Sequence, residues 1–215
     1  MTDIFKFWSR VRRGEKVHPA DKKVFARINS ERHGFRLECL PSNYLGALRS
    51  APVVLLYLSP GFSAEDLRDA RSEEGKSYYK RVWAGNEPLP GKGGAGYQWL
   101  KSRTGNFGDY ALVRHKVATL NIGAYHSVDV RDYSSLLALP SSRASLTWAQ
   151  DVLFPEAEAG NRIVVCMRSA GYWGLETGKT YGKSLFAPHV TRSGHLIKNT
   201  KNQKLIKTIQ KAILA

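Results

Sequence analysis

The chain has 215 residues and carries 33 Lys+Arg against 18 Asp+Glu, a formal charge of +15. With 42% hydrophobic and 24% charged residues it has the make-up of a folded globular domain, which excludes wholesale disorder, a collagen-like repeat and a coiled coil. The length predicts one domain, 1–215, whose core needs no disulfide or structural metal.

The elements follow in chain order. Pro19-Ala20-Asp21-Lys22 opens a predicted helix with Val24, Phe25 and Ile28 at helical spacing, ended by Gly34. Residues 39–46 read as a loop from their Pro, Asn and Gly content. Val53 to Ser59 is a continuous apolar, β-rich run, the signature of a strand buried on both faces. It stops at Pro60-Gly61. Ser63 and Asp66 then stand at capping-box spacing before a helix over about 64–84, with Gly75 as its expected break. Gly85 to Gly96 reads as a surface loop, and Gly93-Gly94-Ala95-Gly96 as a weak phosphate cradle. Strands are expected at 116–122, 161–167 and 185–190. A helix is expected at 141–154, ended by Pro155, and a loop at 174–182. Residues 199–215 place Leu205, Ile206, Ile209 and Ile213 on one face and lysines on the other, an amphipathic helix. Alternating buried strands and helices predict a three-layer α/β/α sandwich on a mostly parallel, four-stranded central sheet.

Charge is uneven. Residues 1–36 hold ten Lys/Arg and four Asp/Glu; residues 198–215 hold five lysines and no acid. Both ends read as basic helical extensions. A surplus of this size favours a polyanionic partner, DNA first, with binding that weakens steeply in salt. No apolar run approaches the roughly 20 residues of a membrane helix. MTDIFKFWSRVRRGE lacks the apolar segment of a secretory signal. Cys39 and Cys166 are distant, with apolar neighbours. Together these features predict an intracellular, cytoplasmic protein with buried, unpaired thiols and no membrane partner.

Several chemistries are disfavoured. Gly174-Leu175-Glu176-Thr177-Gly178-Lys179-Thr180 is one residue short of a phosphate-binding P-loop. No G-x-S-x-G elbow is present. The histidines are scattered without metal-ligand spacing, so neither a metal nor a cofactor is expected. What survives lies at the carboxyl ends of the strands, where open α/β sheets bind ligands. Ser59-Pro60-Gly61-Phe62 follows one strand. Asn121, Tyr125 and His126 follow the next, and an Asn amide both donates to and accepts from a base edge. Arg168-Ser169-Ala170-Gly171-Tyr172-Trp173 follows the third, and His189-Val190-Thr191-Arg192-Ser193 follows the last.

These segments resemble the signature loops of the uracil-DNA glycosylase superfamily. Val53 to Gly61 looks like the first core strand and its G-[MIQ]-[ND]-P-G/Y loop, and His189 to Gly194 like the H-P-S-x-x-[NS] loop after the last strand. Ala118-Thr119-Leu120-Asn121 is similar to the strand end that supplies an Asn to the base. The order and spacing match over roughly residues 38–195. Three positions depart: Ser59 stands where many members have Asn or Asp, Val190 replaces Pro, and Thr191 replaces Ser.

The resemblance implies hydrolysis of the N-glycosidic bond of a deaminated or damaged base. Ser59 and His189 would be catalytic, His189 by stabilising the leaving base. Gly61, Phe62, Asn121, Tyr125 and His126 would hold the flipped base, and Thr191, Arg192 and Ser193 the DNA backbone. Two alternatives stay open: a non-catalytic nucleic-acid binder on the same fold, and a hydrolase of a small nucleotide-like substrate using Tyr125 and His126.

Overall fold

The computed structural model describes residues 3–215, the side chains of Ser30 and Glu31 excepted. Among them, one sheet contains β1 (Tyr44–Leu45), β2 (Val53–Tyr57), β3 (Val117–Asn121), β4 (Ile163–Cys166), β5 (Thr180–Tyr181) and β6 (Leu185–Phe186). Their spatial order is β1-β3-β2-β4-β6-β5. The middle four run parallel, and the two outer strands pair antiparallel at the edges. The class is α/β, as expected, but the sheet has six strands where four were expected. The extra two lie in segments that read as loops. Two residues are too few to show a period, so pairing rather than pattern defines them.

Helices cover both faces: α1 (Ile4–Trp8), α2 (Lys22–Phe25), α3 (Ser30–His33), α4 (Ala64–Arg71), α5 (Glu73–Val82), α6 (Tyr97–Thr104), α7 (Tyr110–Lys116), α8 (Tyr133–Ala138), α9 (Pro140–Trp148), α10 (Phe154–Ala159) and α11 (Thr200–Leu214). Side-chain alternation along β2 and β4 splits the core. Val54, Leu56, Val164 and Cys166 join α1, α5 and α9 on one face. Val53, Leu55, Ile163 and Val165 join α6, α7 and α11 on the other. Both basic ends are thus built into the layers: α1 buries Ile4, Phe5 and Trp8, and α11 buries Leu205, Ile209 and Ile213.

Four boundaries differ from expectation. The helix expected from Pro19 is two single turns, α2 and α3. The 64–84 helix divides at Ser72, whose backbone ends α4 and whose hydroxyl caps α5 by accepting the Gly75 N–H at 3.0 Å. Gly75 lies inside α5, where a Cβ would collide with the Asp69 backbone; it permits the tight crossing instead of breaking the helix. Pro155 does not end its helix. A wide turn over Ala149–Leu153, closed by the Phe154 N–H on the Ala149 carbonyl, leads into α10, and Pro155 falls in its first turn, where a missing N–H costs little. The last strand ends at Phe186, so His189 stands three residues beyond it.

No helix among the described residues is long and apolar enough to cross a membrane. Both cysteines are free and buried, and burial pushes each thiol up to about 12.

Candidate functional site

The parallel register aligns the ends of the two central strands, pairing Leu55 with Thr119 and Tyr57 with Asn121. The period of two then puts Tyr57, Thr119 and Asn121 on one face. The loops that follow are tied together by backbone and ring contacts. Gly123 N–H donates to the Leu58 carbonyl at 2.8 Å and Ser127 N–H to the Pro60 carbonyl at 3.2 Å. His126 Nδ1 donates to the Gly61 carbonyl at 2.6 Å.

Beneath these loops is a cavity of about 180 Å3. Tyr57, Phe62, Trp99 and Leu100 supply its apolar walls; Ser59, Asp66, Thr119, Asn121 and His126 supply its polar groups. Ala95 and Gly96, at the end of the glycine-rich loop, close one side, while Lys92 and Gly93 of the same loop stay exposed. Asn121 is buried, and its Nδ2 donates to the Ser42 carbonyl at 3.0 Å. That bond fixes the amide and leaves Oδ1 outside every hydrogen bond found among the described residues. Phe62 is half-buried, with the Arg36 guanidinium 4.8 Å from its ring centre.

Two buried polar atoms around the cavity are unpartnered among the described residues: His126 Nε2 and the Tyr57 hydroxyl. Because the Gly61 carbonyl only accepts, Nδ1 carries a proton, and Nε2 is the ring nitrogen left without a partner. Burial raises the Tyr57 phenol well above its ordinary range, so it stays a hydroxyl. Asp66 is the carboxylate of the cavity. Its Oδ2 accepts the Ser63 N–H at 2.7 Å and the Ser63 hydroxyl at 2.9 Å, and lies 3.5 Å from His126 Nδ1. The capping box expected at the start of α4 therefore points its carboxylate into the cavity wall.

A second cavity of about 210 Å3 adjoins the first. The two share Tyr57, Ser59, Pro60, Gly61 and Trp99. The outer one is polar and adds Arg103, Arg168, Ser193, Asp129 and Tyr133. Arg103 Nε donates to the Ser193 carbonyl at 2.7 Å and its Nη1 lies 3.3 Å from His195 Nε2. Slight burial, then the Arg103 charge, holds the His195 imidazole below its ordinary pKa. Gly194, at φ +80, passes so close to Tyr57 that a Cβ would sit 3.5 Å from the ring. The loop after β6 thus lies over the end of β2.

Not every expected site residue meets here. Ser59, Gly61, Phe62, Asn121 and His126 line the inner cavity, and Ser193 the outer one. His189 lines a separate cavity of about 300 Å3 against α11, which shares no lining residue with the other two. The strand before it is shorter than expected, so the loop reaches the site only at Ser193. Tyr125 is buried away from both cavities. Its hydroxyl donates to Asp21 Oδ2 at 2.6 Å and accepts the His18 N–H at 3.1 Å, so it is held in the core. Thr191 and Arg192 are exposed and line neither cavity. Thr191 Oγ1 accepts the His195 N–H at 3.0 Å and shapes the loop.

Sequence reasoning assigned no site role to Thr119, Asp66, Trp99 or Arg103, whereas Arg168 belongs to a strand-end segment it singled out. Thr119 was legible: two polar residues two apart in a buried strand share a face. Trp99 and Arg103 lie on α6, which no strong period announces. Among the described residues no His, Cys, Asp and Glu cluster could hold a metal ion. No protein-family model, no characterised protein and no solved structure matches the chain.

Proposed function

We propose that the chain binds nucleic acid by seating one extruded base in the inner cavity, with the sugar–phosphate backbone at the outer one. The observation that carries this is the joining of the two cavities through Ser59, Pro60 and Gly61: aromatic walls and a fixed amide inside, Arg103 and Arg168 outside. Phe62 offers a face for stacking and Asn121 a base-edge acceptor. The guanidiniums and the overall +15 charge suit phosphates. The four central parallel strands, with loops at their carboxyl ends, support reading the fold as the uracil-DNA glycosylase-like sandwich.

The reaction that follows from this reading is hydrolysis of the N-glycosidic bond of a deaminated or damaged base. Water adds across the bond between sugar carbon and base nitrogen; the sugar keeps the hydroxyl and the base leaves with the proton. Ser59 lines both cavities, where that bond would cross, and its hydroxyl holds the water. His189 has no part in this assignment; Asn121, His126 and Ser59 take the inner positions.

A second reading, base binding without hydrolysis, is favoured by Asp66. The carboxylate of the inner cavity is occupied by the Ser63 N–H and hydroxyl, and Ser59 cannot serve as a strong base. The deciding experiment is base release from single-lesion oligonucleotides containing uracil, hypoxanthine or xanthine, at low salt, with alkali cleavage as readout. Release that is lost in Ser59→Ala and Asn121→Ala supports hydrolysis. Salt-sensitive binding without release supports the second reading. Neither binding nor release sinks both.

A further inference from the structure

The outer cavity has an aromatic rim, of which base capture uses only Trp99. Tyr133, at the start of α8, and Tyr172, in the turn after β4, stack with ring centres 5.1 Å apart and planes 9° from parallel. They stay 40% and 41% exposed. Trp99, on the other element of the same cavity, is 41% exposed, with the Arg103 guanidinium 5.3 Å from its ring. Tyr133, Trp99 and Arg103 all line the outer cavity, beside Arg168. Large rings usually bury most of their area. Three half-wet rings next to two guanidiniums make a surface suited to flat, unpaired, negatively tethered groups.

Single-stranded nucleic acid has that chemistry. Every base has a π face, so stacking is tolerant of sequence, and phosphates between bases meet the guanidiniums. In a duplex these faces are already covered by neighbouring bases. Asp129 lines the same cavity and repels phosphate, which leaves the Arg103 and Arg168 side for the backbone. An acidic protein segment would satisfy the charge but would leave the ring faces without a flat partner.

We propose that the Tyr133–Tyr172 pair and Trp99 form a stacking platform for the bases flanking the captured one, and that single-stranded nucleic acid is the preferred partner. The proposal rests on the nucleic-acid reading above, not on hydrolysis.

The test is fluorescence anisotropy of the full chain with a labelled 12-nucleotide oligothymidine and with the blunt duplex of that sequence. The variants are Tyr133→Ala/Tyr172→Ala and Tyr133→Phe/Tyr172→Phe, each checked for an unchanged unfolding midpoint. The expected result is single-strand affinity at least tenfold above duplex affinity. The alanine pair loses roughly ten- to a hundredfold of it, at an unchanged salt slope, because stacking is removed and charge is not. The phenylalanine pair keeps it. Equal affinity for the two forms, no binding to oligothymidine, or an alanine pair that binds like the parent overturns the proposal. Base release absent with this binding pattern intact would defeat hydrolysis and leave the platform; release present with the pattern missing would do the reverse.

Discussion

Two buried polar clusters, each built on a histidine, differ in one respect. Around Asp21 the carboxylate, the phenol and the imidazole are all engaged, and only the Ser141 hydroxyl beside them has no partner among the described residues. Tyr125 and the Ser141 N–H occupy the two carboxylate oxygens at 2.6 and 3.0 Å. His18 Nε2 donates to the Phe7 carbonyl at 2.9 Å, its Nδ1 accepts the Ala20 N–H at 3.0 Å, and Phe7 stacks on its ring at 3.8 Å. Around Asp66, His126 Nε2 and the Tyr57 hydroxyl have no partner among the described residues. The first cluster pins the 18–21 segment to the start of α9 and lines neither cavity of the candidate site. The second lines a cavity, and unmet donors and acceptors are what a ligand satisfies.

The sharpest way to break this contrast is Asp21→Ala. It strips two hydrogen bonds from a buried carboxylate and leaves the Tyr125 hydroxyl and Ser141 N–H unmet, for a loss of about 3 kcal/mol or more of stability in urea unfolding. A loss below about 1 kcal/mol would mean the cluster is not a structural lock. Asn121→Ala should do the opposite. Base capture should weaken by about 1–3 kcal/mol, roughly ten- to a hundredfold, while stability falls by about 1 kcal/mol. Equal damage to binding and stability would erase the distinction.

Acidity probes His18 of the Asp21 cluster, together with His33 of α3. Burial lowers the pKa of His18, against the opposing pull of the Phe7 carbonyl, and burial lowers His33 as well. Both rings accept a backbone N–H at Nδ1, which protonation would abolish. The unfolded chain then binds more protons than the folded one, so the stability these rings contribute is present above the ordinary histidine value and is lost as pH falls below about 6.5. Urea midpoints between pH 7.5 and 5 should decline, and His18→Gln should flatten the slope; a flat parent profile would contradict it. The smallest effect is expected from His189→Ala. Its separate cavity predicts nucleic-acid binding and base release within about twofold of the parent. Abolished release would return His189 to the catalytic role that its loop's resemblance implies.

Legibility followed burial on both faces. β2 and β4 stand out because nothing polar interrupts Val53–Tyr57 or Ile163–Cys166, and α11 because its apolar residues keep one stripe. The Ser63–Asp66 cap was readable from spacing alone. Non-local closure hid the rest. Tyr44–Leu45 becomes a strand only because Leu120 and Thr119 lie alongside it. Tyr125 looked like a base contact because it follows Asn121 in sequence, yet its partners are His18 and Asp21, more than 100 residues away. Trp99 and Arg103 enter the site through the packing of α6 against the end of β2. Side chains two residues apart on one strand were within reach of sequence reasoning; groups meeting across three loops were not.

The two edge strands have a consequence for the protein's behaviour in concentrated solution. β2 and β4 are apolar, β-branched segments of the kind that assemble into stacked sheets when exposed. Here they lie inside the sheet, and its borders are two-residue strands running the other way. So short a border gives an approaching strand almost no ladder to extend, and the outermost one carries exposed Thr180 and half-buried Tyr181 instead of an aliphatic run. The fold thereby keeps its most adhesive sequences from templating their own kind. Mutations that lengthen β1 or β5 would convert a blunt border into a seam for polymerisation.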